Sequence, residues 1–478
     1  MENSKNYISI AAFFAIFLVF AILPPIGDIT SAGMRLIGLF LAFIFGMTVT
    51  SDPWPALFTI VMFPMTGLVS MADVLTIGVG NDTFVFVLFS LVLISYMEVS
   101  GAAKFVTTWL LQRKMLLGHP YRLIFMLLFI CWMLSSFVNA VAGLMITWAF
   151  IYEIFACFGY KPREKTSTII MFGTCVVAAI GLASLPWGNN SLVILNAFTN
   201  LTGLEVNYLL YMGFSIPYAF MVIFIYLFLC KFVFRPDISA MKDYDPSIFD
   251  SDALIMTAEK KTALISMVAL VILILVPNCF PTTSTINQIS SLFGLSGKLL
   301  LIFAILQILR IKGQQVFNFS KLSKAGSNWN LMLLVADILV FSSCISNEDA
   351  GISAFLTNVL SPVFIGKPAV LLIIIGTIVT VVITNFMVNK IVGVLMISIT
   401  MPIATQLGID SVQLASLYTV ACTIAFMVPS ASQASTVFFA NSEWARPKDV
   451  FVYGMITIVP MTVVVIVWNL IYFGLLGY

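Results

Sequence analysis

Long apolar runs separated by short polar breaks organise this chain, in place of the short-period alternation of soluble helices and strands. A helix needs roughly 20 apolar residues to cross about 30 Å of hydrocarbon, and segments of that length recur throughout. Spans are predicted at 7–25, 33–50, 53–70 and 81–98, followed by an interfacial stretch at 100–114. A long apolar region, 120–158, comes next, then a span at 166–200 interrupted by "SLPWGNNS", and another at 207–230. Beyond the polar segment 231–261 lie spans at 262–278 and 290–309, a basic linker, a span at 329–345 and a second interfacial stretch. A second long region occupies 368–408, a span at 411–440 is interrupted by "VPSASQAS", and 450–476 is the last. The pattern predicts an all-α polytopic membrane protein of about 11 transmembrane helices plus two re-entrant hairpins and broken helices.

The order of elements repeats. Residues 1–230 form one half, with a hairpin at about 120–158. Residues 231–261 form a cytoplasmic linker, and 262–478 a second half with a hairpin at about 368–408. Aligning Asn139 with Asn389 also matches Val138 to Val388 and Gly143 to Gly393. Duplication with interrupted helices at corresponding positions is the pattern of secondary transporters.

A single helix between Arg122 and Lys161 would run nearly 60 Å at about 1.5 Å per residue, about twice the bilayer core. The chain must therefore fold back. Two full spans joined by a tight external turn would give the same topology as a re-entrant hairpin. The polar centre "LSSFVNA" favours hairpin tips that meet near mid-membrane.

Composition sharpens this picture. The chain is 61% hydrophobic and 9% charged, against about 45–50% and about 25% for soluble domains. A net charge of +2 with one histidine offers no basic face for nucleic acid. No phosphate loop or zinc spacing occurs, and an enzyme's nucleophile and base find no motif. The seven cysteines stand singly, as small core residues. The N-terminal run "MENSKNYISIAAFFAIFLVFAILPP" is long enough to span and has no small-residue cleavage site, so it reads as a first helix.

With a cytoplasmic N-terminus and an external C-terminus, all of the 23 lysines and arginines fall inside except Arg35, Lys298 and Lys367 outside and Lys390 within the membrane. This bias fits a multi-pass plasma-membrane protein. An odd number of spans then separates the long regions, which makes the repeats inverted.

Tips and breaks expose backbone carbonyls and N–H groups that can hold a cation and an anion. The first half offers Ser135, Ser136 and Asn139 at its tip and Ser184, Gly188, Asn189 and Asn190 at its break. The second offers Thr384, Asn385, Asn389 and Lys390, with Ser430, Ser432, Gln433 and Ser435. Together they are expected to form one central site, with substrate contacts from Asn139, Asn189, Asn190, Asn389, Lys390, Ser432 and Ser435. Small polar residues also serve helix packing, which is the simpler role of any single serine. Pro186 and Pro429 are read as helix stops.

Lys390 is the outlier, because a charge near the bilayer centre normally faces a partner or a cavity. It either pairs with Asp337, counters a bound carboxylate or replaces a coupling cation. Arg35, Glu98, Glu153 and Glu205 read as solvated or snorkelling charges.

The tips "WMLSSFVNAVAGLMI" and "VITNFMVNKIVGVLMI" and the break "AFMVPSASQASTVFFANSEWARPKDV" resemble the divalent anion:sodium symporter family of the ion transporter superfamily. That family has Ser-Asn-Thr at each tip; this chain has Val138-Asn139-Ala140 and Val388-Asn389-Lys390, keeping the asparagines and losing the flanking hydroxyls. The resemblance implies a homodimer, scaffold and transport bundles with elevator-type movement, and a sodium ion beside each tip. Ser135, Ser136, Asn139, Gly188, Thr384 and Asn389 are the residues expected at those ions. The partners expected are thus a small anion, sodium or a proton, the lipid bilayer and a second copy, with no nucleic acid.

The function expected is secondary transport of small anions, di- or tricarboxylates first, with Lys390 in place of one sodium. The alternative is a sodium/proton antiporter, or an exporter of a zwitterionic compound, with Asp337 and Lys390 titrating.

Overall fold

The computed structural model of the protein describes all residues except 1, 51, 246–250, 281–283, 353, 356, 357, 359–367, 429, 430, 442, 445, 446 and 478. Lys367, Pro429, Ser430 and Arg446, together with the Asn189 side chain, lie outside that description.

The chain is helical almost throughout. The first half runs α1 (Glu2–Ile22), α2 (Ser31–Val49), α3 (Trp54–Met62), α4 (Met71–Gly78), α5 (Asp82–Val99), α6 (Ala102–Leu111), α7 (Pro120–Phe137), α8 (Ala140–Phe158), α9 (Lys165–Gly181), α10 (Asn189–Thr202) and α11 (Tyr208–Leu229). The second runs α12 (Ala258–Asn278), α13 (Thr285–Ile308), α14 (Phe319–Gly326), α15 (Trp329–Ser346), α16 (Ala369–Thr384), α17 (Asn389–Leu407), α18 (Ser411–Ala421), α19 (Gln433–Ala440) and α20 (Pro447–Leu476). Among the described residues, eight helices are long and apolar enough to cross a membrane, or nine if α14 and α15, bent by 74° at their junction, count as one span. Shorter apolar helices, such as Lys165–Gly181 and Ala369–Thr384, complete the set.

Burial separates inner helices from outer ones. In α17, 67% of the spanning window is buried, whereas α13 has 22% and α20 has 28%. Every residue of α9 from Thr166 to Gly181 is buried. The outer helices turn residues such as Leu292, Ile305, Val459 and Val463 outward, the all-round apolar character that a lipid-facing helix needs.

Both halves contain a helix pair folded back on itself, then a broken helix, then a long helix. In the first, α7 packs on α8, and Asn139 starts α8 by accepting the Ala142 N–H. Gly143 makes the close approach of the two arms feasible, since a Cβ there would lie 2.9 Å from Ser135 N and 3.1 Å from Cys131 O. In the second, α16 packs on α17, but Gly393 faces Ile194 of α10 instead. Matched glycines thus serve different contacts.

The polar middle is anchored to the first half. Tyr160 and Thr166 donate to the Asp237 carbonyl, and Tyr244 donates to that of Leu111. Hydrogen bonds from the Ser239 hydroxyl and N–H hold the Asp237 carboxyl below the ordinary carboxylate range. The basic linker contains a two-stranded hairpin, β1 (Arg310–Ile311) and β2 (Gln314–Gln315), whose turn residues Lys312 and Gly313 both have positive φ, matching the twist of the strands.

Candidate functional site: two tips and two breaks

Where a helix stops inside a membrane, each freed carbonyl and N–H must find a partner. In the first break, between α9 and α10, Tyr211 donates to Ala183 O at 2.5 Å and Ser215 to Ser184 O at 2.7 Å. Ser191 donates to Leu185 O. Ser184 itself accepts from Trp132 Nε1 at 2.8 Å and donates to Ile180 O.

The second break, between α18 and α19, is held by the neighbouring hairpin. Thr384 donates to Cys422 O at 2.6 Å. Asn385 donates to Ile424 O and Val381 O at 2.7 and 2.8 Å, and its Oδ1 accepts from the Phe426 and Met427 N–H groups at 3.1 Å each. Ser435 donates to Ala425 O and lies 2.9 Å from Ser432 Oγ, while Ser432 caps α19 by accepting the Ser435 N–H. These carbonyls, expected as cation ligands, are occupied by side-chain donors.

A cavity lies at each tip. At the first tip a small one of about 60 Å³ is lined by Ser135, Ser136, Val138, Asn139, Trp187 and Gly188 together with α5. Ser136 donates to Trp132 O at 2.8 Å, while the buried Ser135 hydroxyl has no hydrogen-bond partner among the described residues. Asn139 Nδ2 donates to Glu98 Oε1 at 3.1 Å. Glu98, an exposed charge at the end of α5, is thereby tied to the tip. It stands one turn beyond Ile94 on the α5 stripe that lines this cavity.

At the second tip a cavity of about 360 Å³ gathers Asn190 from the first break, Val388, Asn389 and Lys390 from the tip, and Ser432, Gln433 and Thr436 from the start of α19. Thr50 and Asn330 join them. Asn389 Oδ1 accepts the Lys390 N–H at 3.0 Å; its Nδ2 is buried without a partner among the described residues, as is Asn190 Oδ1. Lys390 is 4% exposed. The volume lies within the roughly 300–1,000 Å³ of small-molecule clefts.

The two asparagine tips thus line separate cavities, with Leu182 bordering both. Thr384 and Ser435 line neither, and Asn189 contributes the first helical residue of α10. No hydrogen bond joins Asp337 to Lys390: neither Asp337 oxygen has a hydrogen-bond partner among the described residues. Sequence reasoning missed Glu98, Asn330 and Thr50. Each stands at a helix end, where polar residues ordinarily meet water or headgroups.

A model of the CitMHS citrate transporter family matches residues 40–293 of the chain. The chain belongs to the citrate transporter family. It is accordingly a multi-pass membrane transporter of the ion transporter superfamily, not an enzyme. Among solved structures, the YdaH transporter of Alcanivorax borkumensis is 14% identical, with a TM-score of 0.54 over 93% of this chain and 98% of that one. Neisseria gonorrhoeae MtrF, described as illuminating a class of antimetabolite efflux pumps, is 12% identical, with a TM-score of 0.55 over 96% of each chain. Both likenesses establish the fold. No curated protein matches the sequence.

Proposed function

We propose that this member of the citrate transporter family carries citrate-like di- or tricarboxylate anions by alternating access, and that the anion sits in the cavity at the second hairpin tip. The convergence of Lys390, Asn389, Asn190 and the start of α19 on one cavity of about 360 Å³ carries this reading. Lys390 supplies the positive charge, Asn389 Nδ2 is a buried donor awaiting an acceptor, and the helix start presents N–H groups with a favourable dipole. Ser432, Gln433 and Thr436 border the same space and complete a polar wall.

The likeness to divalent anion:sodium symporters supports the finer parts of the proposal: elevator movement of the hairpins, a homodimer, and sodium held by Ser135, Ser136, Asn139 and the Gly188 backbone at the first tip. The charge bias along the chain supports a cytoplasmic N-terminus. A second reading, export of a zwitterionic compound, draws on the whole-chain fold likeness to MtrF and on the unpartnered acceptor Asn190 Oδ1, which suits a substrate with a donor.

The test is uptake into proteoliposomes of labelled citrate, succinate, sulfate and a zwitterionic amino acid, under sodium or potassium gradients, with and without unlabelled substrate inside. Saturable citrate uptake that succinate competes for supports the proposal. Transport of the amino acid alone would replace it with the second reading.

A further inference from the structure

Two asparagines from different halves of the chain stand on the wall of the second-tip cavity, each with one hydrogen-bonding atom unused. Asn190 is the second residue of α10 and Asn389 the first of α17, and both line the cavity. The two helices pack on each other, with Gly393 admitting the side chain of Ile194. Asn190 and Asn389 each stand four residues before that contact, one turn back on the same face of their helices.

The fold sets the orientation of both amides. Cys422 gives its one hydrogen to Thr419 O at 3.2 Å, so toward Asn190 Nδ2, 3.8 Å away, its sulfur can only accept. Nδ2 therefore faces the sulfur, and Asn190 Oδ1 is left buried without a hydrogen-bond partner among the described residues. Asn389 Oδ1 accepts the Lys390 N–H at 3.0 Å, which leaves Asn389 Nδ2 in the same condition. Asn190 is 0% exposed and Asn389 4%. One amide thus offers an acceptor and the other a donor, and they do not bond to each other. Lys390 is the one charged residue lining the cavity, and no acid joins it there. A substrate ammonium would meet a like charge and no counter-charge, so the donor that suits Asn190 Oδ1 is a neutral one. A hydroxyl supplies it; an ionised carboxylate has no hydrogen to give.

We propose that Asn190 and Asn389 make this carrier selective for hydroxycarboxylates: Asn190 Oδ1 accepts from the substrate hydroxyl while Asn389 Nδ2 donates to a carboxylate of the same molecule. An analogue with hydrogen in place of the hydroxyl leaves Asn190 Oδ1 buried and unpaired, and a site built to bond a hydroxyl rejects such an analogue far more strongly than an apolar pocket would. The inference rests on the anion-transport reading above and narrows it to one substrate class.

The experiment uses full-length protein in proteoliposomes loaded with unlabelled citrate. It reads uptake of labelled citrate against two external competitors, citrate itself and propane-1,2,3-tricarboxylate, which is citrate with its hydroxyl replaced by hydrogen. The ratio of their half-inhibiting concentrations is independent of how much protein assembles, so a purely structural defect does not move it. Wild type is expected to favour citrate by about 5- to 150-fold, the factor that follows from leaving one buried acceptor unpaired. Asn190→Leu, similar in size but without an acceptor, is expected to bring the ratio within about twofold of one. Equal potency of the two competitors on wild type would overturn the proposal, and so would a wild-type ratio in Asn190→Leu. Absence of saturable citrate uptake by wild type would instead overturn the anion-transport reading. If Asn190→Leu does not transport, Cys422→Ala decides. Without the sulfur the Asn190 amide is free to turn Nδ2 into the cavity, so the ratio should fall by about threefold or more, and an unchanged ratio refutes the role of Asn190.

Discussion

Replacing Asn385 by alanine should destabilise the protein far more than the same change at Asn389, only four residues away. Asn385 is 2% exposed and uses its amide fully, donating to Val381 O and Ile424 O and accepting from the N–H groups of Phe426 and Met427. Truncation strands one carbonyl and two N–H groups of the second break in a dry interior, at about 1–3 kcal/mol each. Neighbouring losses do not add fully, so about 3–5 kcal/mol is expected. The shift in melting temperature per kcal/mol shrinks with chain length, to about 1–2 °C for a chain of this size, which gives a fall of about 3–10 °C. Asn389 offers the contrast. Its Nδ2 has no partner to lose and its Oδ1 accepts one local N–H, so Asn389→Ala should cost under about 1 kcal/mol and melt within about 1–2 °C of wild type. Thermal unfolding of both variants in detergent, followed by tryptophan fluorescence, measures the difference. Equal melting temperatures, or a larger fall for Asn389→Ala, would refute the assignment of one asparagine to the fold and the other to the cavity.

Thr384→Val removes the hydroxyl that satisfies Cys422 O, and should cost about 1–2 kcal/mol by thermal unfolding while leaving the sodium dependence of transport unchanged. A changed sodium dependence would return Thr384 to an ion site. Gly143→Val places a branched side chain against Ser135 and Cys131 where the two arms of the first hairpin meet; about 2–3 kcal/mol of destabilisation is expected, and wild-type melting would show that the arms are not packed this closely.

The hairpins and breaks were legible because each is a conflict between length and bilayer thickness or a cluster of helix breakers, both one-dimensional features. The tip at Asn139 and the turn between Thr384 and Asn389 fall where apolar runs too long for one span carry polar residues. What one dimension does not carry is lateral placement. Asn139 and Asn389 match along the chain, yet they line different cavities, and the first-half break gives Asn190 to the second tip. Thr384, Asn385 and Ser435 look like ligands in sequence because hydroxyls and amides suit ions, but the backbone of the break claims the same groups. Glu98 was hidden by its place at the end of an apolar run, where a carboxylate ordinarily reaches water; only the fold brings it 3.1 Å from Asn139.

Equilibrium binding of labelled citrate to the purified protein, wild type against Lys390→Gln, tests most directly whether the second-tip cavity holds the anion. A hydrogen bond to a charged group contributes about 1.5–3 kcal/mol, so Lys390→Gln should weaken binding about 10- to 150-fold with melting retained. Saturable wild-type binding with that loss is the predicted result. Unchanged citrate affinity in Lys390→Gln, or no saturable binding by wild type, would contradict the account.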